Sequence, residues 1–171
     1  MDSLADRITG RFRGLTGDSV RLVFGLGGTV GKLDAVVTSY QQALLAARAA
    51  MLLPSVGELA RWGELGPYKL LLKLPVDELR NTSQVPALVA LENEDNHHVL
   101  IDTLTVFFDH GDNIQRSVDA LSIHRATLYQ RLKRVEQITG CSFDNGDDRL
   151  MLHLGLKLRA ITTAYRDHFG G

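Results

Sequence analysis

The sequence predicts a mostly α-helical chain, in which a C-terminal helical bundle with a helix-turn-helix is joined to a truncated α/β segment. Three observations carry this expectation. Apolar residues recur at helical spacing through most of the chain after Leu33. One run of branched and aromatic residues, Val20 to Phe24, reads as a strand and ends in a glycine cluster. Finally, Asn113 to Gly140 contains two apolar stripes separated by Leu121-Ser122-Ile123.

The elements follow in order. After the strand come Gly25, Gly27, Gly28 and Gly31, and then a long helix expected over Leu33 to Leu53. Val36, Val37, Tyr40, Leu44, Ala47 and Met51 are its apolar positions, and Pro54 stops it. Glu58 to Trp62 and Tyr68 to Leu72 read as short helices separated by Gly63 and Gly66-Pro67, with Trp62 and Tyr68 expected to pack between subdomains. Pro75 opens a further helical stretch, which Pro86 breaks. The polar run Glu92-Asn93-Glu94-Asp95-Asn96 marks a boundary. The expected organisation is therefore an α/β segment over 1–75, a helical connector over 76–98 and a helical domain over 99–171. In that domain His97 to His110 is helical, with Leu100, Leu104, Phe107 and Phe108 on one stripe. Gly111 ends it, and Asp112 or Asn113 caps the next helix. Arg149 to Phe169 forms the closing helix, with Leu150, Leu154, Leu158 and Ile161 facing one way.

Composition narrows the function classes. The chain has 171 residues, 44% hydrophobic and 23% charged, as in a globular protein rather than a disordered one. No apolar run reaches the ~20 residues that span a bilayer, and the first ten residues lack an apolar signal core. A cytoplasmic location is the default expectation, and the single Cys141 fits a reducing compartment. The formal net charge of -1 taken alone argues against nucleic acid, but the charge is unevenly spread. Leu74 to Asp112 holds eight acids against Arg80 alone, a net of −7. Asn113 to Gly140 holds five bases against Asp119 and Glu136, a net of +3. A local basic element attracts phosphate even on a neutral protein.

That basic segment reads as a helix-turn-helix. A first helix runs from Ile114 to Leu121 with Ile114, Val118 and Leu121 turned inward. Ile123 points inward from the turn, and a second helix runs from about His124 to Ile138 with Leu128, Leu132, Val135 and Ile138 as its buried stripe. At ~3.6 residues per turn, the opposite face displays Ala126, Thr127, Tyr129, Gln130, Lys133 and Arg134, flanked by Arg125 and Arg131. This face carries no acid before Glu136, which suits a helix lying in the major groove. With His124 at its start, the second helix makes up the expected DNA-binding set. Arg125 matches the two acceptors of guanine, Gln130 suits adenine, and Thr127 suits a thymine methyl or a phosphate. Arg131, Lys133 and Arg134 suit phosphates. The alternative is a ligand-sensing or protein-interaction module whose helix-turn-helix serves assembly only.

At these residues the sequence resembles the C-terminal helix-turn-helix of the PucR/CdaR family of bacterial regulators. The matching strings are Gly111-Asp112-Asn113, Leu121-Ser122-Ile123-His124-Arg125-Ala126-Thr127-Leu128-Tyr129-Gln130-Arg131-Leu132 and Ile138-Thr139-Gly140, within a likeness over about Leu100 to Ala160. The family often has Ala-Ala where this chain has Ser117-Val118, and usually Asn at the position of Ala126, a change expected to shift base preference. Upstream, Phe24-Gly25-Leu26-Gly27 followed by Ser39-Tyr40-Gln41-Gln42-Ala43 resembles the end of the family's GGDEF-like domain. The resemblance implies a sequence-specific, DNA-binding transcriptional regulator. A homodimer is expected because one helix reads only a few base pairs, with Leu33 to Leu53 or the helices between Leu70 and Leu91 as the dimer surface. Such regulators usually sense a small molecule or cell state through N-terminal regions, and no effector is legible here.

Competing sites fall away on spacing. The run Gly25-Leu26-Gly27-Gly28-Thr29-Val30-Gly31 lacks the third glycine of a dinucleotide fingerprint, and no acid lies between Asp34 and Glu58 to bind a ribose. A Gly-Lys-Ser/Thr loop is missing, as is the acidic loop of a diguanylate cyclase. His97-His98 beside Glu94 and Asp95 lacks the spaced ligands of a metal site, so capping and solvation are expected there. Cys141 is expected to be a small buried residue. No nucleophile–base constellation is legible, so neither enzyme activity, nor a cofactor, nor a metal is expected.

Overall fold

The computed structural model describes residues 2–17, 20–75, 77–79, 85–95 and 97–169. Val76 and Arg80 to Gln84 of the expected connector, and Asn96 of the expected boundary, lie outside the described residues. In chain order the elements are α1 (Asp2–Thr16), β1 (Phe24–Leu26), α2 (Val36–Leu52), β2 (Leu59–Arg61), α3 (Tyr68–Leu71), α4 (Pro86–Glu94), α5 (Val99–Asp109), α6 (Ile114–Leu121), α7 (Arg125–Thr139) and α8 (Gly146–Phe169). The chain is mostly helical, with one small two-stranded parallel sheet. It forms two units, residues 1–79 with 160–171, and residues 80–159.

In the first unit, β1 and β2 pair in parallel, with Phe24 opposite Leu59, Gly25 opposite Ala60 and Leu26 opposite Arg61. Parallel strands need a crossover, and α2 supplies it. The contact between α2 and β1 is made by small residues. A Cβ on Gly25 would lie 2.0 Å from the Ala43 carbonyl oxygen, and one on Gly27 would lie 2.0 Å from that of Ser39. The Ser39 hydroxyl donates to the Gly28 carbonyl at 2.7 Å, and the Gly28 N–H donates to Gln42 Oε1 at 2.8 Å. Ser39, Gln42 and Ala43 thus clamp the helix onto the glycines, so this run serves packing. Both main-chain groups of Gly28 are already satisfied within it.

Two expectations are corrected in this unit. The strand is Phe24–Leu26, not Val20–Phe24, because pairing begins where the glycines admit α2 and where Phe24 N–H meets the Glu58 carbonyl at 2.7 Å. Within Glu58 to Trp62, expected to be a helix, Leu59–Arg61 is a strand, since its main chain completes the ladder with β1. On α2 the buried residues are Ala46, Ala49, Ala50 and Leu52. Of the apolar positions named for this helix, Val36, Val37, Tyr40 and Leu44 are exposed, while the small Ser39, Ala43 and Ala47 make the close approach to β1. A helix without a sequence expectation, α1, carries Gly10 and Gly14, which weaken helical propensity.

The second unit has one hydrophobic core, in which Leu88 and Leu91 of α4 join Ile101, Leu104, Phe107 and Phe108 of α5. Val118, Leu128, Leu132, Val135, Leu152 and Leu156 complete its apolar wall, together with the buried Cys141. Phe107, Phe108 and Phe143 meet edge-on or tilted, with ring centroids 5.8–6.0 Å apart. Pro86 opens α4 at its first turn, where a missing N–H costs nothing, rather than breaking a helix. Helix α5 starts at Val99, two residues after the expected His97, because His98 adopts a left-handed conformation at its N-cap. Asp95 is buried, and its carboxylate accepts the N–H groups of Leu100 and Ile101 at 2.7 and 3.0 Å, capping α5. The face expected for the last helix is rotated: Leu152, Leu156, Leu158 and Ile161 are buried, whereas Leu150 and Leu154 are exposed.

Candidate nucleic-acid interface

Two consecutive left-handed residues, Gly111 (φ 63) and Asp112 (φ 61), turn the chain out of α5. Asn113 then caps α6, its side-chain oxygen accepting the Arg116 N–H at 2.9 Å. The buried Ser117 donates its hydroxyl to the Asn113 carbonyl at 2.8 Å, and Val118 faces the core. At the end of α6, Ser122 takes a left-handed conformation (φ 53), and the Ile123 N–H bonds back to the Val118 carbonyl at 3.1 Å. Ile123 packs on the core, as its sequence position suggested. His124 is extended and immediately precedes α7, which ends at left-handed Gly140. Leu128, Leu132 and Val135 bury one face of α7, and Ile138 is partly buried beside them.

The polar face of α7 is divided by its contacts. His124, Arg125, Ala126, Tyr129, Gln130, Lys133 and Arg134 are exposed, and Thr127 is half-buried. The Arg125 guanidinium lies 5.7 Å from the Tyr129 ring centroid and donates to its hydroxyl at 3.3 Å, so it rests along the helix. Arg131 is half-buried and donates to the Thr103 hydroxyl at 3.1 Å. Because Thr103 is fully buried in α5, this contact braces α7 rather than leaving Arg131 free to swing outward. Arg134 pairs with Glu94 at 2.7 Å, both side chains being about half exposed. A surface pair of this kind contributes at most about 1 kcal/mol. Among the described residues, Lys133 and Gln130 have no such side-chain partner.

Several residues that support this face were not singled out by pattern. Thr103 anchors Arg131, Glu94 holds Arg134, and Glu136 Oε1 accepts the Phe143 N–H at 2.9 Å, ordering the turn after α7. Each is a polar contact between residues distant in sequence or across a turn, and single-sequence periodicity carries no signal for it. Among the described residues, no group of three or more His, Cys, Asp or Glu side chains converges as a metal site would require. No described helix is long and apolar enough to cross a membrane.

Two helices joined by this turn, the second burying one face and showing a basic one, define a helix-turn-helix domain. Residues 100–158 match the family model of the PucR C-terminal helix-turn-helix domain. Three relatives show the extent of the likeness. The carbohydrate diacid regulator of Escherichia coli (strain K12) is 38% identical over 93 residues, which cover 52% of this chain and 24% of the relative. The DNA-binding transcriptional activator AdeR of Bacillus subtilis (strain 168) is 29% identical over 145 residues, 83% of this chain and 34% of the relative. The purine catabolism regulatory protein of the same organism is 26% identical over 140 residues, 81% and 26% respectively. The chain therefore spans about a quarter to a third of the length of these relatives.

Proposed function

We propose that this chain binds duplex DNA sequence-specifically and regulates transcription, with α7 as the recognition helix in the major groove. The observation that carries the reading is the acid-free outer face of α7, where Arg125, Gln130 and Lys133 stand exposed on a helix fixed by its buried stripe. Arg125, Gln130 and Thr127 read base edges, while small Ala126 admits close approach. Lys133 and Arg134 contact phosphates, Arg134 on release from Glu94. Arg131 contributes charge from its braced position, and His124 and Tyr129 flank the groove.

The same reading includes a homodimer, since one helix of this length reads only a few base pairs and a second copy supplies the neighbouring half-site. Leu33, Val37, Tyr40 and Leu44 form an exposed apolar stripe, and no charged residue occurs from Ala35 to Ala47. An uncharged stripe is self-complementary, as a two-fold contact between identical surfaces requires. The β1–α2–β2 crossover also supports reading the first segment as the latter part of a GGDEF-like domain. That segment lacks the acidic loop of a cyclase, so it is proposed as scaffold, and no enzyme activity is assigned.

Selection from a random duplex pool, followed by anisotropy titration at two salt concentrations, tests this reading. The expected result is a motif of paired half-sites with steep salt dependence. Arg125→Ala is expected to cost roughly 1–3 kcal/mol at one base position and relax the preference there. Weak binding with no enriched motif, erased by salt, would move the interaction-module reading ahead.

A further inference from the structure

A cleft of about 500 Å³ opens in the first unit, lined by Thr38, Gln41 and Arg48 of α2 and by Trp62, Leu72 and Lys73, among others. This volume lies in the range of small-molecule sites. Its charge is one-sided, for Arg48 and Lys73 line it and no carboxylate does. Arg48 is half-buried and fixed, with Nη1 donating to the Leu72 carbonyl at 3.2 Å and the guanidinium 4.8 Å from the Tyr165 ring centroid. Its Nε is buried without a hydrogen-bond partner. Among the described residues no acid pairs with Arg48 or Lys73; the nearby Glu64 leans instead to Arg61 at 3.7 Å. Holding a cation partly out of water without a counter-charge is costly. Beside it, the Trp62 indole has the ammonium groups of Lys73 and Lys69 at 5.7 and 5.9 Å from its ring centroid.

We infer that this cleft binds a small organic anion, a carboxylate on a flat apolar body. The carboxylate lies between Arg48 and Lys73, neutralising both. The apolar body lies against Trp62 and Leu72, and the Gln41 amide and Thr38 hydroxyl offer polar contacts at the rim. An anion here supplies the counter-charge that the fold itself withholds, and it draws on hydrogen bonds to charged groups, about twice as strong as neutral ones. No residue of α7 lines the cleft, so its occupation is read without DNA.

Trp62 is the only tryptophan of the chain, so its fluorescence reports on this cleft directly. The full chain would be titrated with phenylacetate, with phenylacetamide and with inorganic phosphate, as wild type and as Lys73→Met. Lys73 is exposed, so its replacement leaves the core intact. The expected result is a saturable Trp62 response to phenylacetate alone, with the half-saturating concentration raised about tenfold in Lys73→Met, as loss of one charge-assisted contact implies. Three outcomes would overturn the inference: a response that never saturates, an equal response to phenylacetamide, or identical titrations for the two proteins. Saturation by inorganic phosphate at the same concentrations would overturn the apolar-body assignment.

Discussion

Helices α2 and α7 are of similar length, 17 and 15 residues, yet they meet their neighbours by opposite means. Helix α7 buries large side chains, Leu128, Leu132 and Val135, and its opposite face is charged and polar. Helix α2 buries Ala46, Ala49 and Ala50, while Val37 and Tyr40 are 64% and 62% exposed. The first helix is held by interdigitated volume, the second by how near its main chain approaches β1. The difference decides which face each helix leaves over: a basic surface on α7 and an apolar one on α2. It also predicts that the two contacts will fail differently.

The largest effect is expected at Gly25. A Cβ there would lie 2.0 Å from the Ala43 carbonyl oxygen and 2.4 Å from the Ala47 nitrogen. These are main-chain atoms of α2, so the whole helix must move away from β1. Gly25→Ala should cost more than about 4 kcal/mol, the range of severe overpacking. Trp62 belongs to the same unit, so denaturant unfolding followed by its fluorescence should show the midpoint falling steeply. Because the clash is with main chain, adding Ala47→Gly should not restore the midpoint. Recovery in that double variant would mean that side chains, not backbone approach, set the contact.

Leu128→Ala probes the other mode. Leu128 is fully buried, and its truncation leaves a cavity in the core of the second unit. The expected cost is about 3 kcal/mol, with partial recovery wherever neighbouring side chains relax. Helical circular dichroism should show the loss, while the native Trp62 signal should be unchanged. A large change in native Trp62 fluorescence would show that the effect of the cavity is not confined to the second unit.

This contrast explains what could be read in the sequence. Helix α6 occupies Ile114–Leu121 as expected, and α7 begins one residue after the expected His124. Val118, Leu128, Leu132 and Val135 are core residues and Ile114 packs against them, all at helical spacing, so the spacing of large apolar side chains carried the information. On α2 the same reasoning picked out large residues that are exposed, since alanine contributes little to an apolar pattern even where it makes the closest contact. It misplaced Leu150 and Leu154 on α8 as well, where the buried positions Leu152, Gly155 and Leu156 lie on a different side. The strand at Leu59–Arg61 was hidden because three residues carry no periodicity, and their partner lies more than thirty residues upstream. The polar braces of the outer face of α7, Arg131 to Thr103 and Arg134 to Glu94, were equally invisible, since they join residues brought together only by the fold.

The smallest effect sharpens the comparison at the edge of the second core, where packing meets charge. His153 stacks on Phe108 with ring centroids 5.1 Å apart and an interplanar angle of 22°. Its Nε2 lies 3.5 Å from Asp109 Oδ1, and Lys157 pairs with the same carboxylate. Arg149, on the same helix, is engaged with Asp112. Burial lowers the His153 pKa below its ordinary value of 6.5, and the Lys157 charge lowers it further, with Asp109 opposing both. A neutral ring is therefore favoured in the folded state. As pH falls below 6.5 the unfolded chain takes up a proton here before the folded one does, so stability declines with acidification. The decline ends once the folded ring is protonated as well. Since 37% of the side chain is exposed, solvent screens the effect, and it should be well below that of either core substitution. Melting temperatures measured across the acidic range for wild type and His153→Gln should diverge above pH 6.5 less than their slopes differ below it, the wild type being the steeper. Parallel curves would place the acid sensitivity of this unit elsewhere, and the Phe108–His153 stack would then act through packing alone.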